Sequence, residues 1–273
     1  GGGTPTSLSE EQFERLMAMT EKYLPMEQSK EFTVEAGRPD SITEGKLRSM
    51  KIHGVTRISI NPQSMKEHTL ELLGRKHTVE EIREKFMLAR TLGFDNINMD
   101  LIAGLPEETL EDFKETLREV EALKPDSITV HTLVIKRASR LRKEQLEQGG
   151  EMREEDACIE PMQKEAEQFC RVHGYEPYYM YRQQNKAHTT RNTNQENVAY
   201  AKPGKECRHN IGYWTEVAYL GLGLGASSYM EGCRFTNEKD LDKYLALDFG
   251  EEDPEKRETA LRKLWGQIEE LSQ

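Results

Sequence analysis

The chain has 273 residues, enough for one large domain or one and a half, with 38 Lys and Arg against 49 Asp and Glu and a formal net charge of −11. An acidic balance with no long run of Lys or Arg argues against a nucleic-acid partner. No apolar run nears the ~20 residues that a membrane span needs, and no signal peptide is recognisable, so the expectation is a cytoplasmic protein without a membrane span.

In chain order, Ser9-Glu10-Glu11-Gln12 is a capping box that opens a helix through about Tyr23, with Phe13, Leu16, Met17 and Thr20 near a 3.6-residue period. Residues 31–36 read as a short strand, with Phe32 and Val34 on one face and Thr33 and Glu35 on the other. Ser41, with Glu44 three residues on, reads as a second capping box whose helix stops at Gly54. Residues 57–60 are the next strand, entering an Asn-Pro-Gln turn that carries Gln63, and Arg75 follows Gly74 at a helix end. Thr78-Val79-Glu80-Glu81 caps a third helix, with Val79, Ile82, Phe86 and Ala89 as its apolar stripe up to Gly93. Residues 97–102 are a strand bearing a buried acid, Asp100. A Gly104-Leu105-Pro106 turn and a helix over 109–123 follow, then a strand over 127–134 that ends at Val134.

Strands and helices alternating through short turns imply parallel pairing with right-handed crossovers. No Gly-x-Gly-x-x-Gly opens a helix, so the expected fold class is α/β, a partial barrel with C-terminal additions and not a dinucleotide-binding sheet. Residues 1–141 are expected to form its core, 142–235 an extension with the substrate-side segment, and 236–273 a charged helical segment.

Beyond residue 141 the pattern loosens. Residues 154–172 read as a long charged helix, 177–181 as an aromatic strand, and 185–210 as a polar loop region without period, of a length that is functional or disordered. This loop is expected to be poorly ordered and to close over the open barrel when a ligand binds, the alternative being a static surface loop. Residues 220–229 are a glycine-laced apolar segment. The cluster Lys136, Arg137, Arg140, Arg142 and Lys143 reads as a solvated helix start rather than an RNA site.

Cys158, Cys170, Cys207 and Cys233 are scattered, with no Cys-x-x-Cys or Cys-x-x-x-Cys pair, so they form neither a zinc site nor a disulfide framework. Cys207 lies in a segment rich in cations, Lys202 to His209, which would lower a thiol pKa.

Chemistry concentrates in four residues. Glu35, Gln63 and Asp100 each lie near the C-terminal end of an expected strand, where barrel sites are built, and Arg75 follows a helix end. A carboxylate at Glu35 suits an ammonium group, Arg75 suits a carboxylate, and Gln63 and Asp100 suit ribose hydroxyls; together they match a zwitterionic nucleoside. Gly1-Gly2-Gly3-Thr4-Pro5-Thr6 reads as a glycine edge that a ligand can approach. With residues 57–64, residues 96–108 and Gly221-Leu222-Gly223-Leu224-Gly225-Ala226, taken in that order, the chain resembles the radical S-adenosylmethionine (SAM) enzymes of the oxygen-independent coproporphyrinogen III oxidase/dehydrogenase family over residues 1–229.

The resemblance implies a (β/α)6-type barrel, with SAM bound by Gly2, Gly3, Thr4, Glu35, Gln63, Arg75, Asp100 and Val134. It implies an electron donor and a tetrapyrrole substrate whose propionates are oxidatively decarboxylated to vinyl groups, through hydrogen abstraction by a 5′-deoxyadenosyl radical. Tyr181, Arg182, Lys202, Lys205 and Arg208 have the aromatic and cationic composition that a propionate-bearing tetrapyrrole needs, although a core strand explains the tyrosines as well. Gly221, Gly223 and Gly225 either close the substrate side of the barrel or pack backbone on backbone. The family's Cys-x-x-x-Cys-x-x-Cys loop, which holds a [4Fe–4S] cluster, is absent here. In the family that loop lies upstream of the Gly-Gly-Gly-Thr-Pro-Thr motif, and the chain's last helical pattern has no cap, so a fragment is expected, without metal ligands of its own. The other reading of the same motifs is a haem-binding or haem-modifying relative.

Overall fold

The computed structural model describes residues 4–24, 26–133, 159–183, 195–215, 217–230 and 232–247. Gly2, Gly3, Val134, the basic cluster at 136–143, the loop residues 184–194 and the charged segment beyond Leu247 lie outside them. Residues 4–208 form one compact unit, and the chain from His209 belongs to another.

The first unit is built on a six-stranded sheet. Its strands are β1 (Thr33–Gly37), β2 (Arg57–Gln63), β3 (Ile97–Ala103), β4 (Ser127–Thr132), β5 (Glu176–Gln183) and β6 (Gln195–Ala201), in the spatial order β1-β2-β3-β4-β6-β5. β1 to β4 run parallel, and β6 lies antiparallel to both β4 and β5. This is the expected α/β architecture, a parallel-dominated partial barrel. Its helices are α1 (Glu10–Tyr23), α2 (Glu44–Ile52), α3 (Glu67–Leu72), α4 (Val79–Thr91), α5 (Leu110–Leu123) and α6 (Ile159–Val172).

One face of the sheet is apolar and buried: Val34 and Ala36 of β1, Ile58 and Ile60 of β2, Met99 and Leu101 of β3, Ile128 and Val130 of β4. It joins one core with Phe13, Leu47, Phe86, Phe113, Leu117 and Met162 from the helices. Burial of these side chains, at ~25 cal/mol per Å² of apolar surface, is the main force holding helices to sheet. Local signals start the helices where the sequence indicates: Ser9–Gln12, Thr78–Glu81 and Thr109–Asp112 are reciprocal capping boxes. Ser41 is a correction. The cap of α2 is Thr43, whose side chain accepts from the Lys46 amide, while Ser41 closes a 3-10 turn after Pro39 and bonds Arg38 and Thr6.

The polar loop expected over 185–210 is corrected in its second half. Residues 195–201 are β6, with Val198, Ala199, Tyr200 and Ala201 buried, and Arg208 opens a short helix, α7 (Arg208–Trp214). Pairing on both edges supplies the order that the polar composition did not signal, so this stretch is no lid. In the second unit a hairpin of β7 (Ser227–Met230) and β8 (Cys233–Thr236) is followed by α8 (Leu241–Leu245).

Candidate functional site

The other face of the sheet is polar, and register explains why. Glu35, Ser59, Asn98 and Ser127 pair in a row across β1 to β4; Asp100 pairs with Thr129, one step nearer the strand ends; His131 pairs with Asn197, and Asn197 with Tyr181, beyond that. Side chains two apart share a face, so these rows stack into one polar surface rising toward the C-terminal ends of the parallel strands.

Asn98 is the hub. Its Nδ2 donates to Ser59 Oγ (2.9 Å) and Asp100 Oδ1 (2.7 Å), and its Oδ1 accepts from Ser127 Oγ (2.9 Å) and Thr129 Oγ1 (3.1 Å). Ser59 Oγ donates on to Asn61 Oδ1 (2.6 Å), and Asn61 Nδ2 reaches Glu35 Oε2 at 3.5 Å. Below them the buried Arg57 donates through Nη2 to Ser127 Oγ (3.3 Å), while its Nε has no hydrogen-bond partner among the described residues. Ser59, Asn98 and Ser127 are all buried, so each hydrogen bond among them counts.

The charges sit at the upper rim of this network. Glu35 is open to solvent yet recessed, and loss of hydration raises its pKa; Asp100 adds to the effect, against the pull of Arg57, Asn61 and Ser59. His131 Nε2 lies 3.8 Å from Asp100 Oδ2. Burial opposes its charge, but Asp100, Asn197 and Glu35 outweigh that and hold the imidazole above its ordinary value.

Gln63 closes β2 in the left-handed region at φ 71°, where the pairing with β3 slips, a strain typical of functional positions. Arg75 lies by the same end of the sheet, with Arg38 and Asp40 as its charged neighbours. Burial and Arg38 lower its pKa while Asp40 favours its charge, and among the described residues it forms no ion pair. Thr4 packs against the end of β1: a Cβ on Gly37, whose φ is +71°, would stand 2.6 Å from Thr4 Cγ2. Thr4, Glu35, Gln63, Arg75 and Asp100 are therefore brought to one end of the sheet. The arrangement offers acceptor oxygens on Glu35 and Asp100 and an unpaired guanidinium on Arg75, donors and acceptors suited to a ligand carrying both charges and hydroxyls.

Three residues expected to face substrate lie elsewhere. Lys202 donates its amide to Asp126 O (2.9 Å) and lays Nζ over the Tyr175 ring at 5.0 Å. Lys205 Nζ donates to Asp95 O (2.7 Å), and the Arg208 amide donates to Glu31 Oε2 (2.9 Å). Asp126, Asp95 and Glu31 precede β4, β3 and β1, so these cations occupy the N-terminal ends of the strands, opposite Glu35 and Asp100. The cause is the antiparallel direction of β6, which delivers the chain after it to that end. Tyr181 does lie toward the upper end, in line with Asn197 and His131, and Arg182 follows it in β5, paired with Glu196.

Cys207 is buried with Sγ 3.5 Å from Glu31 Oε1, beside an acid rather than the expected cations. Gly221 and Gly223 meet the hairpin of their own unit: Gly221 N donates to Ser228 Oγ (2.8 Å), and Asn237 Nδ2 donates to both carbonyls (3.1 and 2.8 Å). A Cβ on Gly221 would lie 2.2 Å from Ser227 O, which accounts for that glycine by backbone packing.

Sequence reasoning missed Asn98 and His131. The signal was present in Ser127, Thr129 and His131, polar at every second position of a strand whose other face is apolar.

The Radical SAM superfamily model matches residues 1–120. The chain is 44% identical over 252 residues to the oxygen-independent coproporphyrinogen-III oxidase-like protein HemZ of Bacillus subtilis, covering 89% of this chain and 49% of that protein. It is 34% identical over 254 residues to the heme chaperone HemW of the same organism, covering 90% and 60%. The chain thus spans about half to three-fifths of the length of these relatives. In fold it is similar to the solved coproporphyrinogen III oxidase HemN from Escherichia coli, a radical SAM enzyme, with a TM-score of 0.67 at 24% identity over 91% of this chain and 56% of that one.

Proposed function

From the premise that this chain belongs to the radical SAM superfamily, within the group of coproporphyrinogen III oxidase-like proteins and their relatives, we propose that the polar upper end of its sheet binds SAM. We propose further that the whole protein uses SAM to oxidise the propionate side chains of a tetrapyrrole of the coproporphyrinogen class. The observation that carries the reading is the row of Glu35, Ser59 and Asn98 across β1, β2 and β3, with Asp100 one step above Asn98 and Arg75, which forms no ion pair among the described residues, at the same end of the sheet.

Membership of the superfamily implies SAM and a [4Fe–4S] cluster as cofactors. The residues present fit SAM: Glu35 for the ammonium, Arg75 for the carboxylate, Gln63 and Asp100 for the ribose hydroxyls, and Thr4 at the glycine edge. They do not fit the cluster, which needs clustered thiolates. Cys170 is fully buried with its thiol pushed up to about 12 by burial, Cys207 is buried against Glu31, Cys233 belongs to the other unit, and no group of metal-ligating side chains gathers among the described residues. Bound SAM is the source of the radical chemistry of the superfamily. This chain's own part is to bind it, orient it against the strand ends and keep water out of the network below.

Calorimetry with SAM tests the site. The parent is expected to bind, and Asp100→Asn and Glu35→Gln to bind measurably more weakly; equal affinity in all three removes these acids from the site. For the reaction, the full-length protein under anaerobic reducing conditions is expected to release CO₂ from coproporphyrinogen III. The similarity to HemW favours a second reading, haem binding without oxidation. Stoichiometric haem uptake with no decarboxylation would decide for it.

A further inference from the structure

Resting on the SAM-site reading, we propose that His131 is a positioning residue of that site, holding the Asp100 carboxylate in place to receive the ribose hydroxyls. Asp100 has two oxygens to orient. Oδ1 is taken by Asn98 Nδ2 at 2.7 Å, whereas Oδ2 has His131 Nε2 as its near neighbour at 3.8 Å. Thr129, directly beside Asp100 on β4, cannot serve, because its hydroxyl is committed to Asn98 Oδ1. His131 stands two residues further along the same strand and on the same face, nearer the open end: its side chain is 35% exposed against 16% for Asp100. It is thus the β4 group that reaches the rim of the site while standing within ion-pair distance of the acid that lines it.

Charge supports the pairing. Among the described residues, the titratable and charged groups on the polar face around His131 are Glu35 on β1, Arg57 on β2, Asp100 on β3 and Tyr179 and Tyr181 on β5, with the neutral Asn197 of β6 in register beside it. Among the described residues on this face two acids stand with one deeply buried guanidinium, Arg75 lies at the same end of the sheet, and a protonated imidazole at His131 is the cation beside Asp100 itself. Its loss leaves Asp100 with the Asn98 hydrogen bond at Oδ1, no cation beside Oδ2, and the repulsion of Glu35 less offset.

Two measurements judge this. In the first, the His131 titration is followed by NMR without SAM, in the parent and in Asp100→Asn. The pKa is expected to fall in the variant; an unmoved titration means that the pair does not exist and overturns the proposal. In the second, SAM affinity is measured between pH 5.5 and 8.5 in the parent, His131→Ala and His131→Gln. The parent is expected to weaken as pH rises through the His131 titration. His131→Ala should bind about 10-fold more weakly at the acid end, the scale of one hydrogen bond to a charged group, and lose the pH dependence. His131→Gln, which keeps a neutral donor, should recover part of the affinity and stay flat. A His131→Ala protein with the parent's affinity and pH profile would falsify the positioning role. A parent that binds no SAM refutes the site reading instead, and the NMR titration still decides the pair.

Discussion

At Glu35 the carboxyl group has lost hydration and faces Asp100 across the strands, so its proton is held more tightly than in an ordinary glutamate. A bound cation reverses that balance. SAM uptake at pH values just above 4.5, the ordinary value, is therefore expected to release a proton. Calorimetry in two buffers of different ionisation enthalpy reads the release, and a heat that is the same after correction in both Glu35→Gln and parent would argue against it. Arg75 has the converse problem, a half-buried charge that forms no ion pair among the described residues and that a ligand carboxylate would relieve. Replacing it by Ala should cost ~1.5–3 kcal/mol of SAM binding. Asn98 is a matter of stability rather than binding. Substituting Leu leaves Ser59, Asp100, Ser127 and Thr129 short of a partner in a buried setting, so a loss of roughly 2–3 kcal/mol is expected in urea unfolding.

Among the elements, the β3–α5 turn shows how tightly the barrel is locked. Gly104 has φ +81°, and a Cβ there would stand 2.6 Å from Ile159 Cγ1 of α6, while its amide points at Met162 Sδ (3.3 Å). Gly104→Ala therefore strains the backbone and pushes against α6 at once. It should lower stability by more than ~1 kcal/mol, the cost of an unfavourable φ alone, and a thermal midpoint equal to the parent's would show that α6 yields freely. Glu108, two residues before α5, is buried and accepts from Ser64 Oγ, joining the loops after β2 and β3. Burial raises its pKa against the pull of Ser64, so this acid ties two site loops together rather than simply solvating a helix start.

The first unit as a whole responds to pH through contacts far from the site. His53, at the end of α2, meets Glu14 (2.9 Å) and Glu21 (2.7 Å) of α1. Burial opposes its charge, but the two carboxylates outweigh it, and its pKa stands above 6.5. A raised histidine stabilises fully below its unfolded value and loses that contribution as pH rises through the folded one. The stability gap between parent and His53→Ala is thus expected to be widest below pH 6.5 and to close as pH rises through the raised value of the folded state. Asp112 works at the other end: its pKa, lowered to about 2 by the Thr109 hydroxyl and amide of the capping box, gives a contribution lost as pH falls below 3.8. The chain's cysteines lead to a last expectation: after anaerobic reconstitution the 273-residue chain should hold iron and sulfide well below one cluster per chain. A full complement would show that its own cysteines assemble a site.

What the sequence determined by itself was local or periodic. Capping boxes at Ser9 and Thr78, the apolar stripe of α4 and the alternation around Asp100 announce helices, parallel strands and an acid at a strand end, because each is written within a few residues of chain. The set Glu35, Gln63, Arg75 and Asp100 was legible for the same reason, since each sits where a barrel strand or its loop ends. Tertiary structure alone decided the rest. β6 lies in a polar stretch without period and becomes a strand through pairing on both sides; its direction carries Lys202, Lys205 and Arg208 to the end of the sheet opposite Glu35. The Asn98 hub and the His131–Asp100 pair depend on register between strands some thirty residues apart in sequence, a relation that no local pattern encodes.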